Sequence, residues 1–181
     1  MKTQKLVKGI VQIYTGGGKG KTTAAVGLAA RALGQGFRVC LVQFFKPGRP
    51  GGEIISLRLA GERRFKHVKF AFPHPYFCSD KKRGKLKQGI KSAWKQCRKI
   101  VAGGRWDVVI LDEANNVLAS GLFPIKEMYD LIDSKPANVE LVITGRSAPG
   151  KLLKRADLVT EMKLVKHPFY RGLKSRRGIE F

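Results

Sequence analysis

Cysteine and histidine, the residues behind most disulfide frameworks and zinc sites, are scarce in this chain. The sequence has three cysteines, which are widely spaced and odd in number: Cys40, Cys78 and Cys97. This spacing indicates neither a disulfide framework nor a zinc site, so we expect reduced thiols. The three histidines are equally scattered, which favours structural or surface positions over catalytic ones: His67, His74 and His167.

Long apolar runs are also missing. No segment approaches the ~20 consecutive apolar residues that a membrane span requires, and Met1–Lys5 leads into the first predicted strand without a signal-peptide core. We therefore expect a soluble, cytoplasmic protein without a membrane partner. A length of 181 residues with 43% hydrophobic content predicts one domain over residues 1–181.

Acidic residues are few, which leaves a large excess of positive charge. The chain has 36 basic and 13 acidic residues, a formal net charge of +23. Such a field attracts anions, so nucleotides, nucleic acid and acidic proteins are all candidate partners. Many of the lysines lie on a predicted helix from Asp80 to about Val101. A solvated helix face is the simpler interpretation of this charge run.

The most informative feature of the sequence is a glycine-rich loop between a predicted strand and an alanine-rich helix. Its order is typical of a phosphate-binding P-loop, in which backbone N–H groups and the helix dipole hold phosphate oxygens. Lys21 is expected to reach the terminal phosphates and Thr22 to contact Mg²⁺. The strict motif would have glycine at Thr15, and Lys19 is an additional lysine. The predicted nucleotide-binding loop is Thr15, Gly16, Gly17, Gly18, Lys19, Gly20, Lys21, Thr22 and Thr23.

A second motif supports the first. The apolar run from Asp107 to Leu111 ends in two carboxylates, Asp112 and Glu113, as expected of a buried strand that delivers an acid to a metal ion. Together with Thr22, these carboxylates are the predicted Mg²⁺ ligands. The two motifs in combination are far more specific than either one alone.

Predicted strands and helices alternate along the whole chain. The strands are expected at about Gly9–Tyr14, Arg38–Phe44, His67–Phe70, Asp107–Glu113, Val139–Thr144 and Leu158–Val165. The helices are expected at about Gly20–Leu33, Glu53–Leu59, Asp80–Val101, Pro124–Ile132 and Gly150–Arg155. This pattern predicts an α/β, P-loop NTPase-like fold, with an open, mainly parallel sheet and helices on both faces. Ligands are then expected beyond the carboxyl ends of the strands.

These motifs resemble those of the ATP:corrinoid adenosyltransferases, the cob(I)yrinic acid a,c-diamide adenosyltransferase family, over nearly the whole chain. Besides the loop and the acidic strand, the matching segments are Gly27, Ala29–Ala32, Val42–Phe44, Lys46, Gly52-Glu53, Val142–Arg146, Ala156–Met162, Val165–Phe169 and Gly178–Phe181. The resemblance implies further ATP contacts from Arg31, Gln43, Lys46 and Arg146. It also implies transfer of the 5′-deoxyadenosyl group of ATP to cobalt(I), with release of triphosphate, in cobalamin biosynthesis or salvage.

The implied chemistry fits the residues, because cobalt(I) is itself the nucleophile and no activated serine, cysteine or histidine is needed. Lys21 and Lys19, with Mg²⁺, would stabilise the leaving triphosphate. The family also places an aromatic pair against the corrinoid to displace its lower ligand. The aligned segment departs from that pattern because it lacks the tryptophan, and its corrinoid-facing residues are Phe72, Tyr76, Phe77 and Cys78.

The resemblance further implies a homodimer and a reduced flavodoxin-type electron donor, an acidic protein that the basic surface would attract. An alternative function is a P-loop ATPase acting on or stimulated by nucleic acid, which the net charge motivates. The short chain leaves no room for the second lobe of a motor, and no standard nucleic-acid motif is present. A small-molecule kinase is a further alternative, but no arginine-rich lid is evident. A binding module without chemistry also stays open, because the expected tryptophan is missing.

Overall fold

The protein folds around one six-stranded sheet in which every pair of neighbouring strands is parallel. The structure is a computed structural model that describes residues 5–46, 48–75 and 78–179, with the backbone alone for 80–82. The strands are β1 (Val11–Thr15), β2 (Val39–Phe44), β3 (Phe65–Phe70), β4 (Val108–Asp112), β5 (Glu140–Thr144) and β6 (Leu158–Glu161). Their order across the sheet is β3-β2-β4-β5-β1-β6.

In the described residues, six helices connect these strands. They are α1 (Lys21–Gly34), α2 (Gly52–Gly61), α3 (Asp80–Ala102), α4 (Ala114–Ala119), α5 (Ile125–Asp133) and α6 (Gly150–Leu153). Short 3-10 turns cover Glu62–Arg64 and Pro168–Arg171. In the described ranges, none of the helices combines the length and the apolar character needed to cross a membrane.

The sheet is covered on both faces, as the sequence predicts. One face packs against α1 and α2 through residues such as Ala29, Leu33 and Ile54. The other face packs against α3, α4, α5 and α6 and includes Trp94 and Met128. The central strands β2, β4 and β5 are buried along their whole length, because a parallel sheet between two helix layers exposes neither face to water. The predicted α/β fold is thereby confirmed.

Predicted and observed elements differ mainly at their ends. The last strand stops at Glu161 instead of continuing to Val165, and β3 begins two residues early, at Phe65. Helix α4 was not predicted, because it follows β4 directly through Glu113, with no glycine or proline to mark the turn. Glu113 makes that turn with a φ of 64°, in the left-handed region that side chains seldom adopt.

Helix α3 explains how a segment so rich in lysine can be ordered. Its apolar side chains recur every three or four residues, and they are buried against the sheet: Leu86, Ile90, Ala93, Trp94, Cys97 and Val101. The exposed face carries Lys85, Lys87, Lys91, Lys95 and Lys99. Trp94 is the largest of the buried group, with 1% of its surface exposed, and its ring lies 4.7 Å from that of Phe123 and 6.4 Å from that of Phe44.

Replacing Trp94 with alanine therefore tests whether α3 is anchored by this contact. We expect Trp94→Ala to lower the free energy of unfolding by about 3–5 kcal/mol, since it removes a buried aromatic side chain and leaves a cavity. Lys95→Ala, at the next and exposed position, should change it by less than about 0.5 kcal/mol. Urea denaturation measures both values, and similar losses in the two variants would contradict the assigned orientation of the helix.

Candidate functional site

The residues of both sequence motifs meet at one edge of the sheet. The glycine-rich loop follows β1, Gln43 lies near the end of β2, Asp112 ends β4 and Thr144 ends β5. Because all strands are parallel, their carboxyl ends come together, and α1 begins at the same place with Lys21. This edge is where open α/β sheets bind ligands.

The loop owes its shape to glycines and to a distant segment of the chain. Gly16 and Gly20 have φ angles of 100° and 119°, which favour glycine. A Cβ atom at Gly16 would lie 2.5 Å from the carbonyl oxygen of Met162, and one at Gly18 would lie 2.7 Å from that of Lys163. The N–H of Gly18 donates to the carbonyl of Met162 over 2.7 Å. The segment after β6 therefore forms one wall of the loop, and no side chain fits between them.

Lys21 points back into the loop. Its Nζ donates to the carbonyl oxygens of Gly16 and Gly18 over 2.8 and 2.7 Å. Burial lowers the pKa of this ammonium, and the nearby charge of Arg146 lowers it further, against the opposing effect of Glu113 and Asp112. A phosphate in the loop would offer Lys21 a charge-assisted partner in exchange for two neutral carbonyls.

Asp112 is the centre of a buried hydrogen-bond network. Its side chain is 0% exposed, and its Oδ1 accepts from the hydroxyls of Thr22 over 2.8 Å and Thr144 over 2.6 Å. Its Oδ2 accepts from Nε2 of Gln43 over 3.1 Å, and Oε1 of Gln43 in turn lies 2.9 Å from Nε2 of His67. The predicted partners Thr22, Gln43 and Asp112 are thus in direct contact.

Glu113 is held beside Asp112 by a second set of contacts. Its N–H donates to the hydroxyl of Thr144 over 3.1 Å, and its carboxylate accepts from Nδ2 of Asn116. Oδ1 of Asn116 accepts the N–H of Arg146 over 2.6 Å, so one amide joins the ends of β4 and β5. Burial raises the pKa of Glu113, as does the charge of Asp112, whereas Lys46, Lys21 and Arg146 lower it.

The side chains described above include possible ligands for a divalent cation. In the described residues, no group of three or more His, Cys, Asp or Glu side chains converges on one point. The Thr22 hydroxyl and the two carboxylates are, however, the hard oxygen donors that Mg²⁺ prefers, and it commonly completes its shell with water and substrate phosphates. The residues present therefore fit Mg²⁺ bound together with a nucleotide.

The remaining side chains predicted to contact ATP are Lys19, Arg31, Lys46 and Arg146, and they differ in their positions relative to Lys21. Lys46 and Arg146 lie close enough to Glu113 to affect its pKa. Lys19 extends toward the chain terminus, with its Nζ 3.3 Å from the carbonyl oxygen of Ile179. Arg31 lies ten residues after Lys21 on the same helix, about 15 Å along its axis. Burial and the charge of Glu140 raise the pKa of Tyr14, and the charge of Arg31 opposes that rise.

The aromatic segment after β3 also lies at this end of the sheet. The Phe72 ring stacks on Phe70 with 6.0 Å between centroids, and His74 packs against Phe45 at 5.3 Å. Cys78 is half-buried against the core. Tyr76 and Phe77, the other predicted corrinoid-facing residues, lie outside the described residues.

Several residues of the site were not predicted from the sequence. Thr144 and His67 belong to the Asp112 network, Asn116 holds Glu113, and Met162 borders the loop. Asn115 is fully buried, donates to the Gly145 carbonyl over 3.3 Å, and leaves its Oδ1 without a partner in the described part of the chain. Of these residues, only Thr144 could have been found from the sequence, because it is a polar residue at the end of an otherwise apolar strand.

The fold and the loop together define a P-loop α/β protein, and comparison with known proteins identifies its family. A family model described as ATP:corrinoid adenosyltransferase BtuR/CobO/CobP matches residues 7–181. The chain belongs to this family, and the resemblance found in the sequence is confirmed.

Individual relatives agree with the family match. A corrinoid adenosyltransferase of Pseudomonas aeruginosa is 36% identical over 174 residues, which cover 96% of this chain and 84% of that protein. The corrinoid adenosyltransferase of Escherichia coli K12 is 35% identical over 175 residues, covering 96% and 86%. One from Sinorhizobium is 33% identical over 184 residues, covering 100% and 84%.

The position of His67 predicts a pH dependence of stability. Burial lowers its pKa below the ordinary value of 6.5, and the charges of Arg58 and Lys69 add to that effect, against smaller opposing contributions from Glu53 and Asp112. The unfolded chain therefore binds a proton at this position more readily than the folded protein does. Stability should accordingly fall as the pH falls below about 6.5.

Urea denaturation of the wild type and of His67→Gln at about pH 7.5 and about pH 5 tests this effect. Glutamine keeps a hydrogen-bonding group next to Gln43 but does not titrate. We expect the wild type to lose more free energy of unfolding between the two pH values than the variant. Equal losses would show that the titration of His67 does not matter to folding.

Proposed function

We propose that this protein transfers the 5′-deoxyadenosyl group of ATP to the cobalt(I) of a corrinoid and releases triphosphate, in cobalamin biosynthesis or salvage. The observation that carries the proposal is a P-loop in which Lys21 points into the loop and Thr22 donates to Asp112, in a chain that matches the adenosyltransferase family over residues 7–181. Family membership makes the chain a transferase, and ATP and a corrinoid are its substrates.

In the proposed reaction, an electron pair of cobalt(I) forms a bond to C5′ of ATP while the bond from C5′ to the triphosphate oxygen breaks. Negative charge then accumulates on the leaving triphosphate. The N–H groups of the loop, Lys21 and Lys19 would stabilise that charge, and Arg146 lies near enough to add to the positive field. No protein nucleophile and no general base for water are required.

The proposal assigns Mg²⁺ to Thr22, Asp112 and Glu113. Bound there with the nucleotide, the ion would neutralise charge on the phosphates. Thr22 and Asp112 are already hydrogen-bonded over 2.8 Å, and Asp112 keeps its position through Thr144 and Gln43. Nucleotide contacts from Arg31, Gln43, Lys46, Arg146 and the rest of the loop also remain part of the proposal.

We assign the corrinoid to the aromatic segment after β3. Phe72 packs against Phe70 on one side, and a Cβ atom at Gly89 of α3 would lie 2.8 Å from its ring, so its orientation is fixed by neighbours. An apolar wall that contains Phe72 and Cys78, together with Tyr76 and Phe77, would exclude a lower ligand from cobalt. Four-coordinate cobalt is easier to reduce to the nucleophilic state.

Three further assignments belong to the proposal. They are a single P-loop nucleotide-binding domain over residues 1–181, a homodimer, and electron supply by a reduced flavodoxin-type protein. The exposed basic face of α3 supports the last of these, because a basic surface attracts acidic proteins. The cytoplasmic location stays a prediction of the sequence.

Lys21→Ala tests the role of the loop. It should leave the fold intact and lower the rate of adenosyl transfer by about 10²-fold or more, because it removes a positioned cation from the developing charge. The assay uses ATP, Mg²⁺ and chemically reduced cobalamin, and the absorption spectrum reports the new cobalt–carbon bond. Lys154→Ala, which removes an exposed lysine remote from the loop in the chain, should keep wild-type activity.

Product analysis in the same assay separates the proposed function from the alternatives. Triphosphate in equal amount to the adenosylated corrinoid supports the transfer. ADP and phosphate as the main products, or ATP turnover stimulated by DNA or RNA, would contradict it and favour the nucleic-acid-dependent ATPase. Near-normal transfer in folded Lys21→Ala protein would reject the assigned role of that lysine.

The basic face of α3 predicts a salt dependence. Activity driven by a reduced acidic flavoprotein should decline between low salt and about 0.15 M salt, where the screening length shortens to ~8 Å. Activity with a small chemical reductant should change much less. Replacing Lys87, Lys91 and Lys95 with glutamate should selectively impair the flavoprotein-driven reaction, since these side chains are exposed on one helix.

A matched control replaces Lys151, Lys154 and Arg171 with glutamate, which changes the net charge equally on other exposed surfaces. This control should retain most of the flavoprotein-driven activity. Equal impairment of both triple variants would indicate a general effect of net charge, and equal salt sensitivity with both reductants would contradict docking of the flavoprotein on α3.

A further inference from the structure

A second concentration of positive charge lies at the opposite edge of the sheet from the loop. There, a cavity of about 490 Å³ is lined by Arg38, Arg63, Arg64, Arg105 and Trp106. Arg38 immediately precedes β2, Arg64 immediately precedes β3, and Trp106 lies two residues before β4. The cavity is thus at the amino ends of three strands. Because the five residues of β4 extend about 17 Å, it is separate from the site at Asp112.

No ion pair within the described residues neutralises the guanidinium groups of this arginine cavity. None of the residues that line it carries a carboxylate, and among the described residues none of the four guanidinium groups pairs with one. Nη1 of Arg64 donates to the carbonyl of Leu33 over 3.0 Å. The guanidinium of Arg105 lies 5.3 Å from the centre of the Trp106 ring. The neighbouring Asp107 instead uses Oδ2 to accept the backbone N–H of Arg38 over 2.8 Å.

The carboxyl ends of two helices lie next to these arginines and reduce the electrostatic repulsion between them. Helix α1 ends at Gly34, and its last-turn carbonyl at Leu33 accepts from Arg64. Helix α3 ends at Ala102, just before Arg105. Each helix carboxyl end carries roughly half a negative charge, which favours nearby cations but does not neutralise four of them. The remaining positive charge is available to an anion.

We propose that the arginine cavity binds a chain of phosphate groups, as found in inorganic polyphosphate and in nucleoside polyphosphates. Guanidinium groups form bidentate hydrogen bonds with phosphate, and several of them converging on one cavity suit a ligand with more than one phosphate group. The cavity volume is within the range of small-molecule sites, about 300–1,000 Å³. Trp106 is only 6% exposed and its ring faces Arg105, so it offers little surface to a base. The phosphates are therefore the part of the ligand that is recognised.

This site goes beyond the proposed adenosyl transfer and does not depend on it. Arg38, Arg63 and Arg105 are exposed and outside both sequence motifs, so their replacement leaves the P-loop and the Asp112 network intact. The cavity also contains Trp106, whose fluorescence can report the binding of a ligand. A phosphate chain that draws Arg105 away from the Trp106 ring changes the fluorescence of that tryptophan.

The experiment titrates inorganic tripolyphosphate into the protein at constant ionic strength and follows tryptophan fluorescence. We expect a saturable change in the wild type and in Lys21→Ala, and no such change in Trp106→Phe. The double variant Arg38→Gln, Arg63→Gln keeps the Arg105–Trp106 reporter and should bind at least about tenfold more weakly, because two charged donors are lost. The control double variant Arg171→Gln, Lys174→Gln loses the same charge elsewhere and should stay within about twofold of the wild type.

ATP in place of tripolyphosphate distinguishes the two sources of the ligand. Equal affinities support a site that accepts any phosphate chain, and tighter binding of tripolyphosphate supports inorganic polyphosphate. Binding of ATP without tripolyphosphate would overturn the proposal. It would also be overturned by loss of the signal in Lys21→Ala, by equal weakening in both double variants, or by a response only to a DNA oligonucleotide. None of these results depends on corrinoid chemistry, so the proposed function would be unaffected.

Discussion

The buried carboxylate of Asp112 is the group on which the arrangement of the site depends. It accepts hydrogen bonds from Thr22 on α1, Gln43 on β2 and Thr144 on β5, and each donor comes from a different element. A buried carboxylate is strongly unfavourable unless its oxygens are satisfied. The start of α1 and the ends of three strands are therefore held in a fixed relation. The loop, whose last residues begin α1, is positioned by the same contacts.

The sequence was sufficient for the parts of the fold and site that local patterns specify. Alternating strands and helices predicted the parallel sheet, and the parallel sheet placed the loop, Gln43 and Asp112 at one edge. Contacts between distant segments could not be predicted in this way. Asn116 is a loop-like residue in the sequence and becomes part of the site only because β5 brings Arg146 to it. The roles of Tyr76 and Phe77 stay predictions, as do the ligands of Mg²⁺.

The few acidic residues of the protein occupy particular positions in the fold. Several of the carboxylates are used inside the protein to accept backbone N–H groups at the beginnings of strands. Asp157 accepts from Val11, Glu140 from Ile10, and Asp107 from Arg38. Burial lowers the pKa of Lys135, and the nearby charges of Glu140 and Asp157 oppose that effect. These three acids lie at the beginnings of strands rather than on α3, so the positive field of that helix reflects where the acids are placed as well as how few there are.

The close packing of Gly16 and Gly18 against Met162 and Lys163 has a consequence for biosynthesis. The loop is made from an early part of the chain, but the wall that it rests on, at Met162 and Lys163, is translated much later. On the ribosome, the glycines have no wall to pack against until β6 has emerged and paired with β1. A phosphate-binding conformation of the loop accordingly requires β6 and the segment that follows it. Nascent chains that stop before β6 contain the whole P-loop motif without the support that shapes it.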